Sequence, residues 1–151
     1  MSTCTLPAFL DATYTALHNR AGLASVNVFT CPVDPAQLGK EAIELADSVE
    51  VTQARASLGS DDLEESYDVK GSVLVFAQGT SNAAAKVARD RALAILEEVT
   101  DEIAGNETMT STVRDVTITG QTWTQGYAPE GQLGRFCRVE FTLACEAHVT
   151  P

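Results

Sequence analysis

The sequence predicts an α+β domain, a mixed, largely antiparallel β-sheet with two main helices packed on one face. Three observations predict it. The run from Tyr67 to Ala104 reads as a long alternating strand, a tight turn and a helix with a single apolar stripe, and such a helix needs a sheet to cover. The closing run from Arg135 to Val149 has the clearest period-2 alternation in the chain. The order helix, strands, helix, long hairpin lacks the regular βαβ alternation of a doubly wound parallel sheet.

Each element has its own warrant. From about Leu6 to Arg20 a helix is expected, with Pro7 in its first turn, Leu6, Phe9, Leu10, Thr13, Tyr14 and Leu17 as its stripe, and Gly22 as its end. Ser25 to Thr30 is a short β-branched strand closed by Pro32 and Pro35. Ala42 to Ala46 and Ser48 to Gln53 read as a bent strand or a hairpin, although Glu41 to Ala46 is also compatible with helix. Ala54 to Glu65 loses periodicity and gathers acidic and small residues, the pattern of an acidic loop. In the central strand Tyr67, Val69, Gly71, Val73 and Val75 share one face, and Asp68, Lys70, Ser72, Leu74 and Phe76 share the other.

Thr80 or Ser81 is placed to cap the second helix, whose stripe comprises Ala84, Val87, Ala88, Ala92, Ile95, Leu96, Val99 and Ile103, and Gly105 is placed to close it. Ser111 to Thr124 is a threonine-rich strand with a kink at Gly120, joined through a loop from Gly126 to Gly134 to the last strand. In that strand Cys137, Val139, Phe141, Leu143, Cys145, Ala147 and Val149 face inward, and Arg138, Glu140, Thr142, Ala144, Glu146 and His148 face out.

With 151 residues, 44% of them hydrophobic, the chain has the size of one domain spanning 1–151 with one core. A net charge of −11 disfavours a broad nucleic-acid or anionic-lipid surface. The basic cluster Lys86, Arg89 and Arg91 is interleaved with Asp90 and reads as a solvated mixed-charge helix face. No apolar run reaches the ~18 residues of a membrane span and no signal-peptide pattern opens the sequence, so a cytosol-like compartment is expected. Cys137 and Cys145, in one extended strand about 26 Å apart, cannot share a disulfide or a metal and read as small buried hydrophobes.

Chemical signatures are sparse. The sequence has no GxSxG elbow, and Gly79 to Lys86 lacks the second glycine of a phosphate loop. The carboxylates between Asp61 and Glu65 match no calcium-loop spacing. His18 and His148 lie outside any motif and read as ordinary surface or helix-end histidines. The expectation is a protein that is not an enzyme, with no cofactor and no metal.

Several segments together resemble a known family. They are the Leu6-Pro7-Ala8-Phe9-Leu10-Asp11 helix start, the Val26-Asn27-Val28-Phe29-Thr30 strand, the Glu65 to Phe76 strand with Val69-Lys70-Gly71, the Ala88-Arg89-Asp90-Arg91-Ala92 helix, and the closing Arg138-Val139-Glu140-Phe141-Thr142-Leu143 strand. In matching order over nearly the whole chain, they resemble the tail terminator (minor tail or tail completion) proteins of long-tailed bacteriophages, particularly those infecting actinobacteria.

The resemblance implies a virion protein made in the host cytoplasm and placed at the head-proximal end of the tail. Such proteins form a ring, usually a homohexamer, that caps the tail tube, halts its polymerisation and meets the head-tail connector. It implies no sequence-specific nucleic-acid binding and no membrane. Candidate subunit-interface residues are Lys70, Arg138, Glu140 and Thr142, where opposite charges can set register between copies. Asp61, Asp62, Glu64 and Glu65 are candidates for a lumen or tube-facing loop, or simply a solvated one. A phage neck or head-completion protein is the nearest alternative, followed by a small ligand-binding α+β domain.

Overall fold

The computed structural model describes residues 3–128 and 134–150. Its elements are α1 (Leu6–His18), β1 (Asn27–Phe29), β2 (Glu41–Leu45), β3 (Val51–Arg55), β4 (Leu63–Gln78), α2 (Asn82–Gly105), β5 (Asp115–Tyr127) and β6 (Gly134–Val149), with short 3-10 turns at Ala21–Leu23 and Pro35–Gln37. The strands form one six-stranded sheet in the order β1-β2-β4-β6-β5, and β3 pairs with β4. Only β1 and β2 run parallel; the β2, β3, β5 and β6 pairings are antiparallel, so the α+β class holds.

The two long strands form the spine. β4 and β6 pair over their full length from Leu63↔Val149 to Gln78↔Gly134, which puts Val69, Val73 and Val75 beside Leu143, Val139 and Cys137 on one buried face. All seven expected inward residues of β6 are buried. α2 lays Ala88, Ala92, Ile95, Leu96, Val99 and Ile103 on that face, and Phe9 of α1 meets Tyr67 edge-on at 5.9 Å between ring centres. Two cross-strand contacts let aromatic rings lie over glycine: a Cβ on Gly71 would stand 2.5 Å from Phe141 Cζ, and one on Gly126 would stand 2.8 Å from Phe136 Cε1.

Ion pairs tie the layers together. Arg20 holds Glu98 at 2.5 Å and Glu102 at 2.8 Å, joining the segment after α1 to α2. Arg91 grips Glu41 at 2.7 and 2.9 Å, joining α2 to β2, and this pairing holds the Glu41 carboxyl below its ordinary range. Arg91 therefore belongs to an interlayer clamp and not to the solvated face expected for it.

Other expectations are corrected in detail. Of the two readings of the stretch from Glu41, the bent strand holds over the helix: β2 (Glu41–Leu45) and β3 form a broken strand along one side of β4, bent where Ala46 takes a left-handed φ of 54°. α1 ends at His18, and Gly22 lies in the following 3-10 turn, where an added Cβ would strike the Glu98 carboxylate at 2.4 Å. Ser81 is the N-cap of α2, its hydroxyl accepting from the Ala84 amide at 3.2 Å. Val87 is exposed and leaves the stripe. Gly105 remains helical, and Asn106 is the C-cap.

The strand expected from Ser111 begins at Asp115, because Asn106 to Arg114 form a compact turn in which Met109, Thr110 and Ser111 all have positive φ. That turn drives Met109 fully into the core, with the Asn106 side chain accepting from the Thr110 amide at 2.9 Å. Gly120, at φ +65°, marks a register shift in β5 as expected. Gly126 lies in β5, and Pro129 and Gly131 of the expected loop lie outside the described residues.

Candidate functional site

The sheet buries one face and leaves the other largely open. Alternation sends Ser66, Asp68, Lys70 and Ser72 of β4, Arg138, Glu140, Thr142 and Ala144 of β6, and Thr117, Thr119, Thr122 and Thr124 of β5 to that open side. The ladder registers Lys70 with Thr142, Ser72 with Glu140 and Leu74 with Arg138, so the four candidate interface residues, distant in sequence, become one patch. They line a hollow of about 530 Å³ whose rim also carries Glu44 and Asp47.

The hollow is shaped by the end of β2, the segments that follow β1 and β2, and the bulge in β5, since Leu45, Pro32, Ala46 and Gly120 also border it. Ser72 is buried beneath it. Arg138 and Glu140 stand 3.7 Å apart on adjacent outward positions, and both are about half exposed. Among the described residues, no carboxylate lies within ion-pair distance of Lys70. The patch therefore alternates charges on an accessible surface, the arrangement that gives register and specificity to a protein contact more than raw affinity.

The acidic stretch from Asp61 to Glu65 divides. Asp61 is exposed in the loop, whereas Glu64 lies in β4 and meets Arg114 at 3.1 Å. Arg114 also holds Glu146 at 2.9 Å, and His148 stands 3.6 Å from Asp62 and 3.4 Å from Glu64. Sequence reading missed this junction of β4 and β6 with the segments that lead into β4 and β5, because β-pairing alone brings residues 62–64, 114 and 146–148 together.

Glu65 is a correction. It is only 2% exposed and faces the helix side of β4, so it cannot line a lumen or meet a tube. Its carboxylate accepts from the Thr5 amide at 3.0 Å, the Thr5 hydroxyl at 2.9 Å, Cys4 Sγ at 3.3 Å and Gln53 Nε2 at 3.0 Å. Burial alone would raise its pKa, but Gln53, Thr5 and Cys4 together hold it below the ordinary carboxylate range. The same Thr5 hydroxyl meets Tyr67 OH at 3.0 Å, and burial pushes the Tyr67 phenol well up. Glu65 thus anchors the start of α1 to β3 and β4, in place of a side-chain cap on that helix. An acidic residue between two hydrophobic strand positions was the only signal in the sequence, and it read as loop.

Cys31, Cys137 and Cys145 are free thiols; burial raises Cys137 and pushes Cys145 up to about 12, far from a reactive thiolate. Among the described residues, no group of three or more His, Cys, Asp or Glu side chains could hold a metal ion, and no helix is long and apolar enough to cross a membrane. No protein-family model matches the chain, and no curated protein matches it.

Proposed function

We propose that this chain is a structural subunit that works by assembling with copies of itself through the open side of its sheet. Within that class, we infer that it is a phage tail terminator: a ring at the head-proximal end of the tail that caps the tube, ends its polymerisation and offers its other side to the connector. The ordered likeness of five sequence segments supports the particular assignment. The observation that carries the assembly reading is the convergence of Lys70, Arg138, Glu140 and Thr142 in one accessible, charge-alternating hollow.

Repulsion between copies of charge −11 opposes ring closure until salt screens it, so the free protein is expected to associate more strongly as ionic strength rises. Six copies of 16.0 kDa give a ring of about 96 kDa. Native mass spectrometry and light scattering across salt and concentration test the ring. Addition to the growing tail-tube protein encoded in the same genome tests the cap, the expected result being tubes arrested at the length reached. A chain that stays monomeric throughout and leaves tube growth untouched refutes the reading. Capsid or connector binding without tube arrest would favour the neck-protein alternative.

A further inference from the structure

β1 and β5, the two ends of the main strand path, share an unusual property. In a chain with 31 Asp, Glu, Lys and Arg residues, the segment from Val116 to Tyr127 that forms nearly all of β5 contains none, and neither does the segment from Ala21 to Val33 that contains β1. Exposed sheet edges are ordinarily protected by charged residues, proline or a covering element, because their unpaired N–H and C=O groups invite another strand. Past the Gly120 bulge, residues Gln121 to Gln125 are all exposed. The foot of β5 is covered differently, with the Val116 amide bonded to Glu107 O at 2.9 Å. The Ala128 amide bonds Gly134 O at 2.9 Å, and counting back along the antiparallel ladder turns the amides of Gln121, Trp123 and Gln125 toward the free side.

The register places the two edges at one level. A single row runs Val28–Ile43–Val73–Val139–Trp123 across the five strands of the main path, flanked by Asn27–Ala42–Leu74–Arg138–Thr124 and Phe29–Glu44–Ser72–Glu140–Thr122. The strand directions also match. β1 runs with β2 and therefore against β4, whereas β5 runs with β4, so the β5 edge of one copy and the β1 edge of an identically oriented neighbour are antiparallel.

We propose that β5 of one copy pairs with β1 of the next, joining Gln121–Thr124 to Asn27–Thr30 so that the sheet continues from subunit to subunit; the seam stops short of Val26, whose amide is already bonded to Leu23 O at 3.0 Å. This inference rests on the ring reading and adds to the contact of the open side an edge-to-edge seam between neighbouring copies. The occupant is a second copy of this chain, because two chains of charge −11 can meet along these edges without opposing like charges. The join is heterologous, one edge against a different one, which closes into a ring when the rotation per copy allows. It sets Trp123, which is 36% exposed, beside the next copy's Val28 on the same face, an aromatic and β-branched cross-strand pair.

The test is Trp123→Lys in the full chain, with Trp123→Phe as its conservative partner, followed by native mass spectrometry and light scattering. Circular dichroism and melting temperature check that each variant keeps the fold. Lysine puts a charge in the seam while lowering the overall repulsion between copies, so a general charge effect would strengthen association. The expected result is association weakened about tenfold or more in Trp123→Lys and nearly restored in Trp123→Phe. Assembly of Trp123→Lys equal to that of the parent overturns the seam and leaves the ring reading standing. Association of the parent that stops at a dimer overturns the head-to-tail join in favour of an edge paired with itself. A parent that is monomeric under all conditions refutes the ring reading, and the seam with it.

Discussion

Gly71→Ala should be among the most damaging single-methyl additions in this protein. The new Cβ would stand 2.5 Å from Phe141 Cζ, 2.7 Å from Cε2 and 2.9 Å from Leu45 Cδ2, all well inside ordinary carbon contact of ~3.5–4.0 Å. The ring has little room to retreat, because Phe141 is 2% exposed and its strand neighbours Val139 and Leu143 are fully buried. Overpacking of this kind costs ~1–3 kcal/mol, and burial on all sides places Gly71 near the upper end. Restricting the unfolded chain returns ~0.4–1 kcal/mol, leaving a net loss of about 2 kcal/mol.

At ~2–4 °C per kcal/mol for a chain of this size, the melting temperature should fall by about 4–8 °C, with an unchanged denaturant slope. Thermal and urea unfolding followed by circular dichroism measure both quantities. The decisive arm is the pair Gly71→Ala with Phe141→Leu, since the smaller side chain vacates the space that the new methyl needs. The double variant should be more stable than the sum of the two single losses by about 1 kcal/mol or more, the coupling expected of side chains in contact. A neutral Gly71→Ala, or strictly additive losses, would refute the placement of the Phe141 ring over Gly71.

Three further outcomes follow from the geometry. Glu65→Gln keeps the shape of the side chain but turns one acceptor oxygen into a donor facing donors, and should cost ~1.5–3 kcal/mol by chemical denaturation. Glu65 and Glu41 both have folded-state pKa values below their unfolded ones, so their stabilisation is complete above the unfolded value near ~4.3 and is lost as pH falls through the folded values; unfolding midpoints should drop on acidification in the parent, and less steeply in Glu65→Gln. Reductant and metal chelator should leave the melting temperature unchanged, because Cys31, Cys137 and Cys145 are free thiols; a clear fall with either reagent would contradict that bonding pattern.

Much of the fold was legible because periodicity is local. The alternation in β6 named every one of its buried residues from Cys137 onward, and the spacing in α2 named its stripe apart from the exposed Val87. The kink at Gly120 was legible as well, since glycine within a β-branched run marks a bulge. Less was legible where backbone geometry overrode residue type. Three successive residues with positive φ after α2 delay β5 by four positions, and nothing in Met109-Thr110-Ser111 announces a left-handed turn.

The sequence by itself determined the α+β class, the hairpin of β5 with β6, the inward and outward faces of β4 and β6, and the uncharged character of the β1 and β5 segments. These properties depend on residues a few positions apart, where alternation and helical spacing act directly. Tertiary structure alone decided that Arg91 is a clamp, that Glu65 is a buried anchor for α1, and that Lys70 and Thr142 are direct neighbours across the β4–β6 ladder. It also decided that β1 and β5 lie at one level on opposite edges. Those facts depend on pairing between segments tens of residues apart, and register across a sheet is set by the joint burial of whole faces, which no single stretch of sequence encodes.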